Sequence, residues 1–360
     1  MSLPDFAIIY LNRACPRRCP YCSAWRNKEV TMPPDKWKKA FEILRNLGVK
    51  FFLILGNEPL LLGDNLVELV RWWYRNDYYY GIYSTSPQPF FDKYKYDLLN
   101  AGLRNWSSGM DFVLPVYESL KETLTKDDRQ FIEENVELKK KAIESLFGLQ
   151  FMYNHNIQEI NSTITISKFN IKLIPKSIEW LAENVIKDSR WKVGTNFVHY
   201  SDKDSLNDFA KSKEEIRRYI FTSKDIDLLE WLKSEMDRLC SKYPFLSVPP
   251  FYYSNYEAII KQNLRLCDDK VARQIAVDSD GSLRLCGYVK GKLLSFMTVF
   301  DLEKPEGRKM YEDFYEKDLE MWCTGCYWSC PFIKKYGGID ILDFRSDYWK
   351  KKYEELKFRK

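Results

Sequence analysis

Histidine is scarce in this chain: His155 and His199 are the only two in 360 residues. A metal site built on a histidine pair is therefore poorly served, and each ring reads more readily as a satisfied structural side chain than as a catalytic base. Long apolar runs are also missing, since no stretch approaches the roughly 20 residues needed to span a bilayer. Met1–Phe6 lacks the basic and apolar regions of a secretory signal, so a reducing cytoplasm is the expected setting and no membrane partner is expected. Charge of one sign is in small excess: 56 Lys and Arg against 51 Asp and Glu leave +5, spread along the chain. That favours a solvated lysine-rich surface over a nucleic-acid footprint. There is no internal repeat or low-complexity tract. What remains is a globular composition, 45% hydrophobic, long enough for one large or two modest domains.

Cysteine is present in quantity, nine in all, and three fall in one run, Cys15-Pro-Arg-Arg-Cys19-Pro-Tyr-Cys22. Disulfides suit this run poorly, because three thiols leave one over and nothing suggests secretion. A closed zinc site wants four ligands. Three cysteines on a [4Fe-4S] cluster instead leave one iron open to a substrate or cofactor. The CxxxCxxC spacing, with Tyr21 before the last cysteine, resembles the radical S-adenosylmethionine (SAM) superfamily.

From Phe6 to about Tyr200 short apolar runs alternate with longer amphipathic segments, the pattern of βα units around a parallel sheet. Strands are expected at Ala7–Leu11, Phe51–Leu55, Tyr79–Thr85, Asn105–Phe112, Glu159–Ile166 and Trp191–Val198. A helix opens at Pro33-Pro34, carries Trp37, Phe41, Leu44 and Leu47 at helical spacing, and stops at Gly48. Six strands agree with the α/β fold that the resemblance implies, a partial (β/α)6 barrel followed by a small cysteine-rich C-terminal domain of the twitch type. The charged stretch Pro115–Asn135 reads as a lid, an insertion or an extra helix. The expected organisation is a barrel over 1–211, a helical linker over 212–256, an auxiliary-cluster domain over 257–335 and a C-terminal helix over 336–360. Trp72, Trp73 and Tyr78–Tyr80 are assigned to the core rather than to base stacking.

Strand two is followed by Gly56-Asn57-Glu58-Pro59, which resembles the GGEP motif of the same superfamily. The resemblance implies that this segment binds the amino group of SAM, with Glu58 a suitable acceptor for the cation. Asn57 stands where the family has a second glycine, and Asn tolerates left-handed backbone better than most residues. The resemblance also places Tyr21 near adenine, and Ser84 with Ser107 or Ser108 near the carboxylate or ribose. The function it implies is reductive cleavage of SAM, fed by an electron donor such as flavodoxin or ferredoxin, to a 5′-deoxyadenosyl radical that abstracts a hydrogen atom.

Five cysteines follow the expected barrel: Cys267, Cys286, Cys323, Cys326 and Cys330. Asp278-Ser279-Asp280-Gly281 between two apolar runs, Gln274–Val277 and Leu283–Leu285, is a hairpin signal. The pattern resembles the SPASM/twitch extension, which implies one auxiliary [4Fe-4S] cluster with one thiol left over; spacing does not say which. A zinc ribbon is the rival for these cysteines. Cys240 reads as a small buried hydrophobe on a helix, with hydrogen-atom donation to a substrate radical as the sharper alternative. A peptide or small polar natural-product precursor is the expected substrate, undergoing oxidation, crosslinking or epimerisation. With no extra domain before the first strand, a small substrate or one recognised by the barrel itself is expected. Radical modification of a nucleic acid or nucleotide, and a non-catalytic zinc or iron-sulfur module, are the alternatives.

Overall fold

The computed structural model describes residues 4–28, 30–55, 57–200, 211–248, 250–262, 273–286 and 290–323. Gly56, Cys267, Cys326, Cys330 and the expected C-terminal helix lie outside them. The chain alternates β1 (Phe6–Tyr10), α1 (Pro34–Asn46), β2 (Phe51–Leu55), α2 (Asp64–Arg75), β3 (Tyr80–Tyr83), α3 (Phe90–Asn100) and β4 (Asn105–Met110). Three helices follow, α4 (Leu114–Leu120), α5 (Lys126–Glu134) and α6 (Val136–Asn154), then β5 (Glu159–Ile166), α7 (Ile174–Asn184) and β6 (Trp191–Phe197). The remainder holds α8 (Ile226–Lys242), α9 (Tyr256–Lys261), β7 (Ile275–Val277), β8 (Leu283–Arg284) and α10 (Pro305–Trp322).

The strands form one sheet in the order β6-β5-β4-β3-β2-β1-β7-β8. Neighbours among β1 to β6 are parallel, as helical crossovers require. The hairpin β7–β8 turns at Gly281, whose φ of +87° is a conformation other side chains resist. Rather than standing apart, β7 joins the barrel's own sheet, parallel to β1 with Ile8 opposite Ala276.

Alternation along the strands gives the sheet two faces. One face presents Ile9, Phe52, Ile82, Trp106 and Ile160 to the surrounding helices. Phe41 of α1 packs there on Phe52 and on Trp73 of α2, with centroids 5.0 and 5.1 Å apart. Each such wholly buried side chain contributes about 1.5–3 kcal/mol. The opposite face is apolar on the first strands, with Phe6, Ile8, Tyr10, Phe51 and Leu53. It turns polar on β4 and β5, where Asn105, Ser107, Glu159, Asn161 and Thr163 are buried.

Pro115–Asn135 is resolved into α4, a short 3-10 turn and α5, so the extra-helix reading holds there. Strand β3 stops at Tyr83, two residues earlier than the apolar pattern indicated, because the Thr85 amide donates to a Glu58 carboxylate oxygen at 3.1 Å instead of to a strand.

Candidate functional site

Strand β1 ends at Tyr10 and delivers the cysteine run to the C-terminal edge of the sheet, where ligands of parallel α/β folds gather. Cys19 is buried, Cys15 and Cys22 half-buried, and all three are free thiols. A tight turn holds the last two together, the Cys22 amide donating to the Cys19 carbonyl at 3.1 Å. The Ala24 amide points at the Cys22 sulfur, 3.4 Å away. Burial pushes the Cys19 thiol up to about 12 and the Cys15 and Cys22 thiols upward as well. These groups become thiolates only beside a compensating cation. Among the described residues no three His, Cys, Asp or Glu side chains converge on a single ion. A cubane does not require it, since each thiolate binds its own iron corner. Three soft donors at one sheet edge suit such a cluster, which three thiolates would hold with one iron open.

Glu58 lies at the end of β2, fully buried. Its carboxylate accepts from the Ser84 hydroxyl at 2.5 Å, the Thr85 amide and hydroxyl at 3.1 Å each, and the Leu60 amide at 3.2 Å. Burial raises its carboxyl above the usual range, with these donors opposing the rise. Asn57 takes a left-handed φ of +48°, and its amide nitrogen donates to the Arg13 carbonyl. The Glu58 amide donates to the Ala14 carbonyl at 3.2 Å, so the motif and the cysteine run are stitched backbone to backbone. Ser84 is thus occupied in holding Glu58.

Several functional groups at this edge had no sequence motif. Arg17 is buried, donates to the Thr85 hydroxyl and carbonyl at 3.1 and 3.0 Å, and pairs with Glu144 of α6. One turn away on α6, Lys141 donates to Tyr21 Oη at 2.8 Å and to Asp111 at 3.0 Å. Tyr21 itself donates to Asp111 at 2.6 Å. Burial works against the Lys141 ammonium, yet Asp111 and Tyr21 hold it well above the usual lysine range. Lys141, Glu144, Ser145 and Gly148 recur at helical spacing, a polar stripe with a glycine that could have marked this face of α6. The glycine matters because a Cβ at 148 would collide with Ser86.

The two serines of β4 part company. Ser107 lies on the polar inner face, in register with Tyr83 and Asn161. Ser108 lies with Trp106 and Met110 on the helix-packed face, where its hydroxyl has no partner among the described residues. Asn161, which no motif singled out, is 2% exposed, and neither end of its amide has a partner among the described residues.

Of the later cysteines, Cys286 follows β8 and Cys323 follows α10, both half-buried. Asp318 of α10 accepts three backbone amides, from Lys292, Leu293 and Leu294, at 2.8–3.1 Å. It thereby ties the segment after Cys286 to the helix that Cys323 follows. Asp278 of the hairpin is wholly buried and accepts from Arg13 Nε at 2.8 Å and Arg284 Nη1 at 2.8 Å, which fastens the hairpin to the cysteine run. Cys240 sits on α8, its thiol directed at the Val248 carbonyl 3.6 Å away, and burial raises it to about 11. His155 is stacked on Phe151 at 4.1 Å. His199 is close to Gln262, and burial lowers it to about 4.

Among the described residues no helix is long and apolar enough to cross a membrane. The fold resembles that of SuiB from Streptococcus suis, solved bound to S-adenosylmethionine, with a TM-score of 0.58, 14% identity, and coverage of 88% of this chain and 68% of that one. The same protein bound to its precursor peptide SuiA gives a TM-score of 0.56 and 14% identity over 89% of this chain and 68% of that one. At this identity the likeness is one of fold. The PqqA peptide cyclase of Rhodopseudomonas palustris is 36% identical over 73 residues, 19% of this chain and 19% of the relative, so the match spans about a fifth of that curated protein. The radical SAM superfamily model matches residues 9–166, the segment that holds the cysteine run, Glu58, Tyr21 and Lys141. The chain therefore carries a radical SAM superfamily domain.

Proposed function

We propose that this protein is a radical SAM enzyme acting on a peptide. The observation that carries the reading is the stitching of Arg13 and Ala14, which lead into the cysteine run, to the Glu58 turn at one sheet edge, through the Glu58 amide and the Asn57 side chain. Cys15, Cys19 and Cys22 would hold the cluster, and Asn57, Glu58 and Pro59, with Gly56 by resemblance, would face the amino end of SAM. When bound, a [4Fe-4S] cluster with an open iron supplies the electron that cleaves SAM to methionine and a 5′-deoxyadenosyl radical.

The chain's own part is orientation and exclusion of water. Glu58 is held rigid by Ser84 and Thr85, so a cation arriving beside it meets a fixed acceptor. Tyr21 is fixed by Asp111 and Lys141 and offers a ring edge for adenine. Ser107 is the better of the two β4 serines for a polar contact, because it shares the inner face with Asn161. Peptide as the substrate class is supported by the names of two similar proteins, a peptide cyclase and a protein solved with a precursor peptide. Carboxamides such as Asn161 pair well with peptide groups, having one donor end and one acceptor end.

The finer reading adds a C-terminal auxiliary [4Fe-4S] cluster drawn from Cys267, Cys286, Cys323, Cys326 and Cys330, with one thiol spare. It keeps the division into barrel, linker, cysteine-rich region and C-terminal helix, and a flavodoxin- or ferredoxin-type donor. Oxidation, crosslinking and epimerisation all remain within it. The test is anaerobic incubation of the reconstituted protein with SAM, a strong reductant and candidate peptides, with 5′-deoxyadenosine followed by mass spectrometry. Reconstituted protein that holds iron and sulfide yet releases no 5′-deoxyadenosine refutes the proposal.

A further inference from the structure

Arg17 and Arg18 are adjacent in the cysteine run and go opposite ways. Arg17 turns inward, to Thr85 and to Glu144. Arg18 is exposed, and its guanidinium lies over the Trp25 ring, 5.8 Å from the centroid. Arg26, beyond Cys22, covers the same ring at 5.3 Å. Both distances suit a cation–π contact. One half-buried indole therefore gathers two exposed guanidiniums on the surface of the loop that carries Cys15, Cys19 and Cys22.

The chain answers these charges only in part. Among the described residues Arg18 has no carboxylate within ion-pair distance, and Glu137 accepts from its backbone amide, at 3.4 Å, rather than from its guanidinium. Arg26 pairs with Glu215 at 3.1 Å, but the side chains are 48% and 42% exposed, so the pair is held weakly and exchanges readily. Glu215 has other support, accepting from the Ser212 amide at 3.1 Å. Two arginines on a tryptophan have the composition of an interface anchor. Their planar forks match carboxylates, so the partner that fits is an acidic surface.

The place of the stack narrows the class. The inward side of the loop reaches Asp111 through Tyr21 and Thr85 through Arg17, and Thr85 is bonded to Glu58, where the reading above seats SAM. A partner on the outward side adjoins Cys19 in sequence through Arg18 yet stands away from that edge. It can pass an electron to a cluster held there but cannot present a C–H bond. We propose that the Arg18–Trp25–Arg26 surface docks an acidic one-electron carrier protein, which reduces the cluster held by Cys15, Cys19 and Cys22. This inference rests on the radical SAM reading above. One electron leaves the reduced carrier and enters the cluster; no covalent bond is made or broken.

The experiment mixes the full chain with an acidic flavodoxin and, in parallel, an acidic ferredoxin, for wild type, Arg18→Gln, Arg26→Gln and Glu215→Gln. Calorimetry on the cluster-free chain reads docking alone, and anaerobic stopped flow on the reconstituted chain reads electron transfer. One exposed charge contact in water corresponds to about fivefold. Each arginine variant is expected to weaken docking and slow reduction by about that factor at low ionic strength, with the gap closing at high salt. Glu215→Gln, which removes the competing carboxylate, is expected to strengthen docking. Reduction by photoreduced deazaflavin, a small uncharged reductant, should not change. The inference is overturned by a wild-type chain that docks neither carrier, by arginine variants that match wild type, by weaker docking of Glu215→Gln, or by equal slowing with carrier and deazaflavin. Binding of a single-stranded RNA that the arginine variants lose while carrier docking persists also overturns it. Should Arg18→Gln fail to retain iron, Arg26→Gln and the calorimetry decide. Wild-type protein that binds no iron and sulfide refutes the parent reading whatever the calorimetry shows, so the two failures are distinguishable.

Discussion

Asp278 offers a measurable test of how the hairpin is held against the cysteine run. Burial alone would raise its carboxyl, but Arg13 and Arg284 together hold it at about 2, down from 3.8. That fall corresponds to about 2.4 kcal/mol at 1.36 kcal/mol per tenfold change in acidity. Replacing Asp278 by Asn keeps the volume and removes the charge. Arg284, with no exposure, then stays buried beside a neutral group, whereas Arg13, at 19%, is partly rehydrated. Removing one member of a buried pair costs about 3–5 kcal/mol, and rehydration of Arg13 places Asp278→Asn near the lower end, about 3 kcal/mol.

Hydrogen exchange of the Ile275–Val277 amides reads this directly, with protection expected to fall on the order of a hundredfold. The pH dependence has a definite sign. The carboxyl is more acidic folded than unfolded, so its stabilisation is complete above about pH 5 and drains away as pH falls through 3.8 towards 2. Asp278→Asn should lose that acid sensitivity as well as the protection. Protection within about threefold of wild type, with the acid limb unchanged, would refute the reasoning.

Two further outcomes are expected. Cys19→Ser should abolish reconstitution of the N-terminal cluster, lowering iron and sulfide by about four each as read by colorimetric assay; undiminished iron would place the cluster elsewhere. Cys240→Ala should leave product formation unchanged and lower stability by no more than about 1 kcal/mol in urea, since its thiol faces the Val248 carbonyl; altered product stereochemistry would instead make it a hydrogen donor.

The features legible in the sequence were those written in contiguous residues. Phe51–Leu55 and Glu159–Ile166 appear as strands with the bounds their apolar runs indicated, and Asp278-Ser-Asp-Gly281 turns a hairpin. Asn57 in the glycine position of its motif adopts a left-handed backbone, which Asn tolerates better than most residues. What stayed hidden depends on contacts across the chain. Arg17 meets Glu144 over 127 positions and Lys141 meets Tyr21 over 120, and no local spacing encodes either. The hairpin was legible, but its place beside β1 was not, because pairing partners are selected by the whole sheet. Ser107 and Ser108 are adjacent letters that the period of a strand sends to opposite faces, and only the pairing of Trp106 with Ile82 reveals which goes where.

The parallel docking of β7 on β1 has a consequence for biosynthesis. Asp278 reaches Arg13 across 265 positions. At about 5–20 residues per second, a ribosome takes roughly 13–53 s to cover that distance. Throughout that interval β1 has one unpaired edge and the loop after it lacks its arginine clamp. The loop that carries Cys15, Cys19 and Cys22 is thus least tied down while the chain is still being made, and slower translation of the later segments lengthens that interval.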